Sequence, residues 1–177
     1  VLVDKMDWLT LDALDAPLIR QFNHNGIDWF LPKALFVDGA AIEFPMADQF
    51  VEAFAKSGSD SDLLKVVGSL ATPSVNGSKE RQIIKNREDA EHRADVLRGI
   101  PTETAMAVLL YFLGVKQYIA QKYGSFLFDD DDDDDDDALV RAATAHFPNF
   151  GWWGAYLGIA ETGVFGNYEQ VLHTNFH

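Results

Sequence analysis

The sequence predicts an all-α fold, a bundle of four to six helices with an aromatic, glycine-rich C-terminal extension. Three observations carry this. Behind Pro45, the residues Met46, Phe50, Ala53 and Phe54 recur at helical spacing before Gly58. Residues 105–115 hold no charge, so apolar side chains run right round one helix, as in the centre of a bundle. No run of alternating residues is marked off by turn signals at the regular intervals of a β-protein. With 177 residues, 47% of them hydrophobic, the chain can bury a core in one domain. The boundaries read as a helical domain over 1–149, including an acidic loop at 129–137, and a docking extension over 150–177.

Taken in order, Thr10 caps a helix over 11–22 that Pro17 disturbs. Asn23 to Gly26 is turn material, and Trp29-Phe30-Leu31-Pro32 belongs to a packed loop. Pro45 suits the first turn of a helix stopped by Gly58. Asp60 or Ser61 caps a second helix through Leu63, Leu64, Val67 and Leu70, ended by Thr72-Pro73. Ser78 opens a longer helix with few apolar residues and a densely charged face, stopped by Gly99. Thr102 to Tyr123 is the apolar central helix, ended by Gly124. Asp137 caps the last regular helix, Ala138 to Phe147.

Charge excludes one class of function. The net charge is −14, and Asp129 to Asp137 supply nine of the 28 acidic residues. Nucleic-acid binding needs clustered cations, whereas here the basic residues concentrate between Lys65 and Arg98 and are mixed with acids. The aspartate run has no glycine hinge or carbonyl ligands to shape a calcium loop, so it reads as a solvated loop or a handle for a basic partner. Cysteine is absent, which removes disulfides and thiolate chemistry. No apolar stretch is long enough to span a membrane. The start at Val1 is expected of a processed form or a fragment.

Chemical motifs are few. The five histidines form no His-Glu-x-x-His set, and no nucleophile elbow or phosphate loop appears. His92 lies in the charged helix. His173 and His177 stand four apart at a terminus. His146, at helical spacing from Leu139 and Ala142, is the candidate ligand for a metal or a pigment magnesium, against a packed or half-exposed role. Glu80, Glu88, Asp89, Glu91 and Asp95 alternate with Arg81, Lys85, Arg87, Arg93 and Arg98, the pattern of a salt-bridged solvent face. Residues 152–165 concentrate Trp152, Trp153, Tyr156 and Phe165 with one acid, Glu161. Such a segment folds over the core or anchors the domain on a partner. Trp152, Trp153, Tyr156 and Phe165, with Asp129, Asp133 and Asp137, form the candidate docking set.

From Asp60 to Phe112 the chain runs Asp62-Leu63-Leu64-Lys65, Gly68-Ser69, a loop with Pro73, Asn76 and Gly77, a charged helix, Ile100-Pro101 and Ala105-Met106-Ala107-Val108. This order resembles a half-repeat of the dinoflagellate peridinin–chlorophyll proteins, all-helical antenna proteins of the thylakoid lumen. The helical architecture is also similar to that of the extrinsic bundle proteins of photosystem II. Where the antenna family has a histidine pair before Gly-Ser, this chain has Val66-Val67, so no chlorophyll ligand is carried over. The resemblance implies a non-catalytic accessory subunit docking on a photosynthetic complex of an alga, in the thylakoid lumen or against its membrane, with chlorophyll or carotenoid at an interface as the cofactor such a setting allows. Two alternatives stand beside it: a soluble pigment- or lipid-binding helical protein with its cavity under Thr102 to Tyr123, and an enzyme without a recognisable motif.

Overall fold

The structure is a computed structural model that describes residues 16–74, 81–128, 156, 160 and 166–174. These residues form five α-helices and a three-stranded antiparallel sheet, so the fold is mixed α/β rather than the expected all-α bundle. The sheet begins with a hairpin of β1 (Gln21–His24) and β2 (Ile27–Phe30), in the register Gln21↔Phe30 to His24↔Ile27. Asn25 and Gly26 are its two-residue loop, with φ of 52° and 76°. Positive φ at both positions is what a type I′ hairpin turn requires, and Asn-Gly supplies it at least steric cost. The helix expected over 11–22 is therefore corrected. Its described part is bend and strand, because Phe22 pairs with Trp29 and stacks on its indole at a centroid distance of 6.3 Å. The third strand, β3 (Thr72–Pro73), lies on the far edge of β2, the position where a residue without an N–H is tolerated.

Helix α1 (Glu43–Ser57) carries Pro45 in its first turn and ends at Gly58, whose φ is 63°. Both features follow the sequence. Helix α2 (Asp60–Leu70) starts on Ser59, whose side chain accepts from the Asp62 N–H, one residue before the expected cap. Helix α3 (Arg87–Val96) is much shorter than the helix expected from Ser78. Residues 81–86 are non-helical, and the two ends of that piece explain why. Arg81 and Ile84 are drawn inward, and Asn86 caps the helix through the Asp89 N–H while the Asp89 carboxylate accepts from the Lys85 N–H. Replacing Asn86 with alanine will cost about 1 kcal/mol in chemical denaturation.

Helix α4 (Thr102–Phe128) runs past the expected stop at Gly124. A last helix, α5 (Tyr168–His173), is closed by a reciprocal cap between Asn167 and Gln170. It lies in the extension, and its end is tied to the start of α1. Ala41 N–H donates to the Thr174 carbonyl, and Ile42 N–H to that of Leu172, with Val171 and Leu172 buried. Among the described residues no helix is long and apolar enough to cross a membrane.

The core centres on α2, which packs on α1, α3 and α4 through Leu63, Val66, Val67 and Leu70. Phe44 and Phe50 of α1 and Tyr111, Phe112 and Val115 of α4 close over it. Gly68 is the crossing point with α3. A Cβ there would overlap the Ala90 carbonyl oxygen and lie 2.9 Å from the Ala94 nitrogen. The two helices thus meet backbone to backbone, which holds α3 close beside the sheet.

Candidate functional site

The inward turn of residues 81–86 creates a buried charge assembly. Glu43 is fully buried, and Arg81 Nη2 reaches its two carboxylate oxygens at 2.9 and 3.0 Å. Arg81 also donates to the carbonyls of Asp38 and Leu70, and the Glu43 carboxylate accepts from the Ala40 N–H. Burial pushes the Glu43 carboxyl above its ordinary value, against the opposing pull of Arg81 and the Ala40 N–H. Arg93 comes in beside it, donating to the carbonyls of Ala71 at 3.3 Å and Gln82 at 2.6 Å, and burial lowers its pKa. Tyr111 donates its hydroxyl to the Lys33 carbonyl, and burial raises its pKa. These groups tie four separate stretches of chain together. Every strong partner is internal, so the assembly serves as a frame.

On that frame sits an open groove of about 620 Å3 between the sheet and α3. Its apolar floor is Ile27 and Trp29 of β2, Pro73 of β3, Ile83 and Val96. The indole N–H of Trp29 is buried there with no acceptor among the described residues. The rim is polar: Gln82, Lys85, Asp89, His92 and Arg93. Asp89, His92, Arg93 and Val96 come from α3 at spacings of three and four, one face of one helix. Among the described residues neither Lys85 nor Arg93 has a carboxylate at ion-pairing distance. A second concavity, of about 440 Å3, lies between α2 and α3 and is lined by Leu64, Lys65, Glu91, Asp95 and Arg98 among others.

The expected salt-bridged face of α3 is present only in part. Arg87 pairs with Glu91 at 2.9 Å and Arg98 with Asp95 at 2.7 Å on the surface. Arg81, assigned to the same face from sequence, points inward instead because the chain before Asn86 is not helical, and Arg93, within α3, turns to the carbonyls of Ala71 and Gln82. Tyr156 is 6% exposed and belongs to the core. Trp152, Trp153, Phe165, Asp129, Asp133, Asp137 and His146 lie outside the described residues. His92 is exposed on the groove rim, and His173 is exposed on α5. Among the described residues no three His, Asp or Glu side chains converge as metal ligands.

None of the groove residues was assigned to a site from sequence, Trp29, Ile83 and Arg93 among them. Ile83-Ile84 was the available signal. Two adjacent large apolar residues in a charged stretch suit an extended segment with side chains to both sides better than a surface helix. Comparison with family models, with curated proteins and with solved structures finds no match for this chain.

Proposed function

We propose that this protein is a non-catalytic accessory subunit that docks on a larger assembly. The observation that carries the reading is the groove between the sheet and α3, whose apolar floor and charged rim have the composition of a protein interface. Its position supports the same reading. The floor is partly strand and the wall is a helix fixed to α2 at Gly68, so a partner meets a preformed surface. Glu43, the one fully buried carboxylate among the described residues, is spent on the frame through Arg81.

The setting rests on the resemblance of residues 60–112 to the peridinin–chlorophyll half-repeat. It is a photosynthetic complex of an alga, with the subunit in the thylakoid lumen or against its membrane. The burial of Tyr156 bears on how docking is tested. Deleting 152–165 would remove a core side chain along with any anchor, so point changes at exposed residues are the cleaner tool.

The test is the native size of the protein in a gentle extract of its source cells. On native gels and by size exclusion it will run far above its own 19.7 kDa, in fixed ratio with other chains. Migration at the monomer mass, at low and at moderate salt, contradicts the reading.

A further inference from the structure

The outer edge of the sheet forms a second interface. We propose that two copies of this chain pair antiparallel through β1, joining their sheets into one of six strands. No β1 residue lines the groove, so this surface is separate from it and independent of the docking role.

The hairpin register fixes which backbone groups are available. Leu31 N–H donates to the Arg20 carbonyl, and in the same register Phe22 lies opposite Trp29 and His24 opposite Ile27. Inward bonding recurs at every second residue of an antiparallel pair, so Gln21 and Asn23 turn their N–H and carbonyl groups outward. The other side of β2 agrees. Asp28, opposite Asn23, gives its carbonyl to the Ser74 N–H, away from β1. Among the described residues the outward groups of Gln21 and Asn23 have no hydrogen-bond partner. At the opposite edge the same alternation from Ser74 turns Pro73 outward, where it offers no N–H. β1 has no proline, lysine or carboxylate of the kind that blunts an open edge.

A second copy fits this edge in one register. About a twofold axis at Phe22, Gln21 of each copy lies opposite Asn23 of the other, and every outward group of both strands is bonded. Axes at Gln21 or Asn23 instead set one of these residues against Ile19, before the strand, or Asn25, in the turn. At Phe22 the two rings meet as the closer, non-hydrogen-bonded kind of pair. Each ring is half-buried and stacked on Trp29, so the two stacks join into one aromatic row. Arg20 falls opposite His24 rather than opposite another arginine.

The test is light scattering on the purified full-length chain across a dilution series. The expected result is twice 19.7 kDa at high concentration and the single mass on dilution. Gln21→Pro removes an outward N–H that the hairpin does not use, and Gln21→Lys puts a charge on the exposed edge. Each will raise the dimer dissociation constant at least about tenfold, with circular dichroism unchanged in the lysine variant. The chain has no cysteine, so the register can be trapped directly. Residues facing each other at such a pair have Cα atoms about 4.5 Å apart, within disulfide range, so Phe22→Cys will oxidise to a covalent dimer. Leu18→Cys, at a site 61% exposed, will not. A monomer at every concentration, a dimer unmoved by both Gln21 variants, or equal cross-linking at 18 and 22 would overturn the inference.

Discussion

Replacing Arg81 with methionine will destabilise the fold by about 3–5 kcal/mol, the usual cost of stripping the partner from a buried charge. Glu43 is 0% exposed, and the guanidinium reaches both its oxygens. Without it, the carboxylate keeps only the Ala40 N–H, and the carbonyls of Asp38 and Leu70 lose their donor. The loss depends on pH with a definite sign. Glu43 already has a pKa raised above its unfolded value by burial, so the stability its protonation gives is complete below the ordinary carboxylate range. That stability disappears as pH rises through the folded value. Removing Arg81 raises the folded value further. The difference between wild type and variant will therefore be largest at neutral pH and will shrink on acidification, as read from urea denaturation at each pH. Adding Glu43→Gln to the Arg81→Met variant will recover much of the loss at neutral pH. A loss below about 1 kcal/mol, the level of a surface pair, would show that the pair is not buried as described.

Gly68 carries the second large effect. Alanine there places a methyl against the Ala90 carbonyl oxygen and 2.9 Å from the Ala94 nitrogen, and both are backbone atoms of α3 that cannot rotate away. Such overpacking costs about 1–3 kcal/mol, and valine will cost more than alanine. In a chain of this length that lowers the melting temperature by roughly 2–4 °C per kcal/mol. The alanine variant will also move α3 away from α2, and with it the wall of the groove. It should therefore weaken docking even though Gly68 lines no part of the groove. Unchanged melting in Gly68→Ala would mean that the helices do not cross there.

How much of this was legible in the sequence follows from the kind of information each element uses. Helices α1 and α2 were legible because their stops and faces are local: Gly58, the Met46–Phe50–Phe54 spacing, and Leu63, Val67 and Leu70. The uncharged face-round pattern of 105–115 likewise marked α4 as a core helix. The sheet was missed although Asn25-Gly26 is a strong hairpin signal. Its strands are four residues long, too short for periodicity to outweigh a helical reading of 11–22. β3 is two residues and exists only because β2 lies beside it.

Beyond the Ile83-Ile84 signal the groove could not be assembled from sequence, since its floor combines residues 27, 29 and 73 with 83 and 96. The inward turn of Arg81 and Arg93 was hidden for the same reason. Their partners, Glu43 and the carbonyls of Ala71 and Gln82, are set by tertiary approach, whereas sequence spacing alone pairs them with their neighbours on a charged helix.

The central claim, that the chain docks through the groove between the sheet and α3, predicts shielding of one amine. Lysines are acetylated briefly in the gentle native extract and, separately, in the purified chain, and the two modification levels are compared by mass spectrometry. Lys85, on the rim, should be protected several-fold in the extract, while the exposed Lys56, at the end of α1 and outside the groove, should react alike in both. Equal labelling of Lys85 in extract and purified chain would contradict the account.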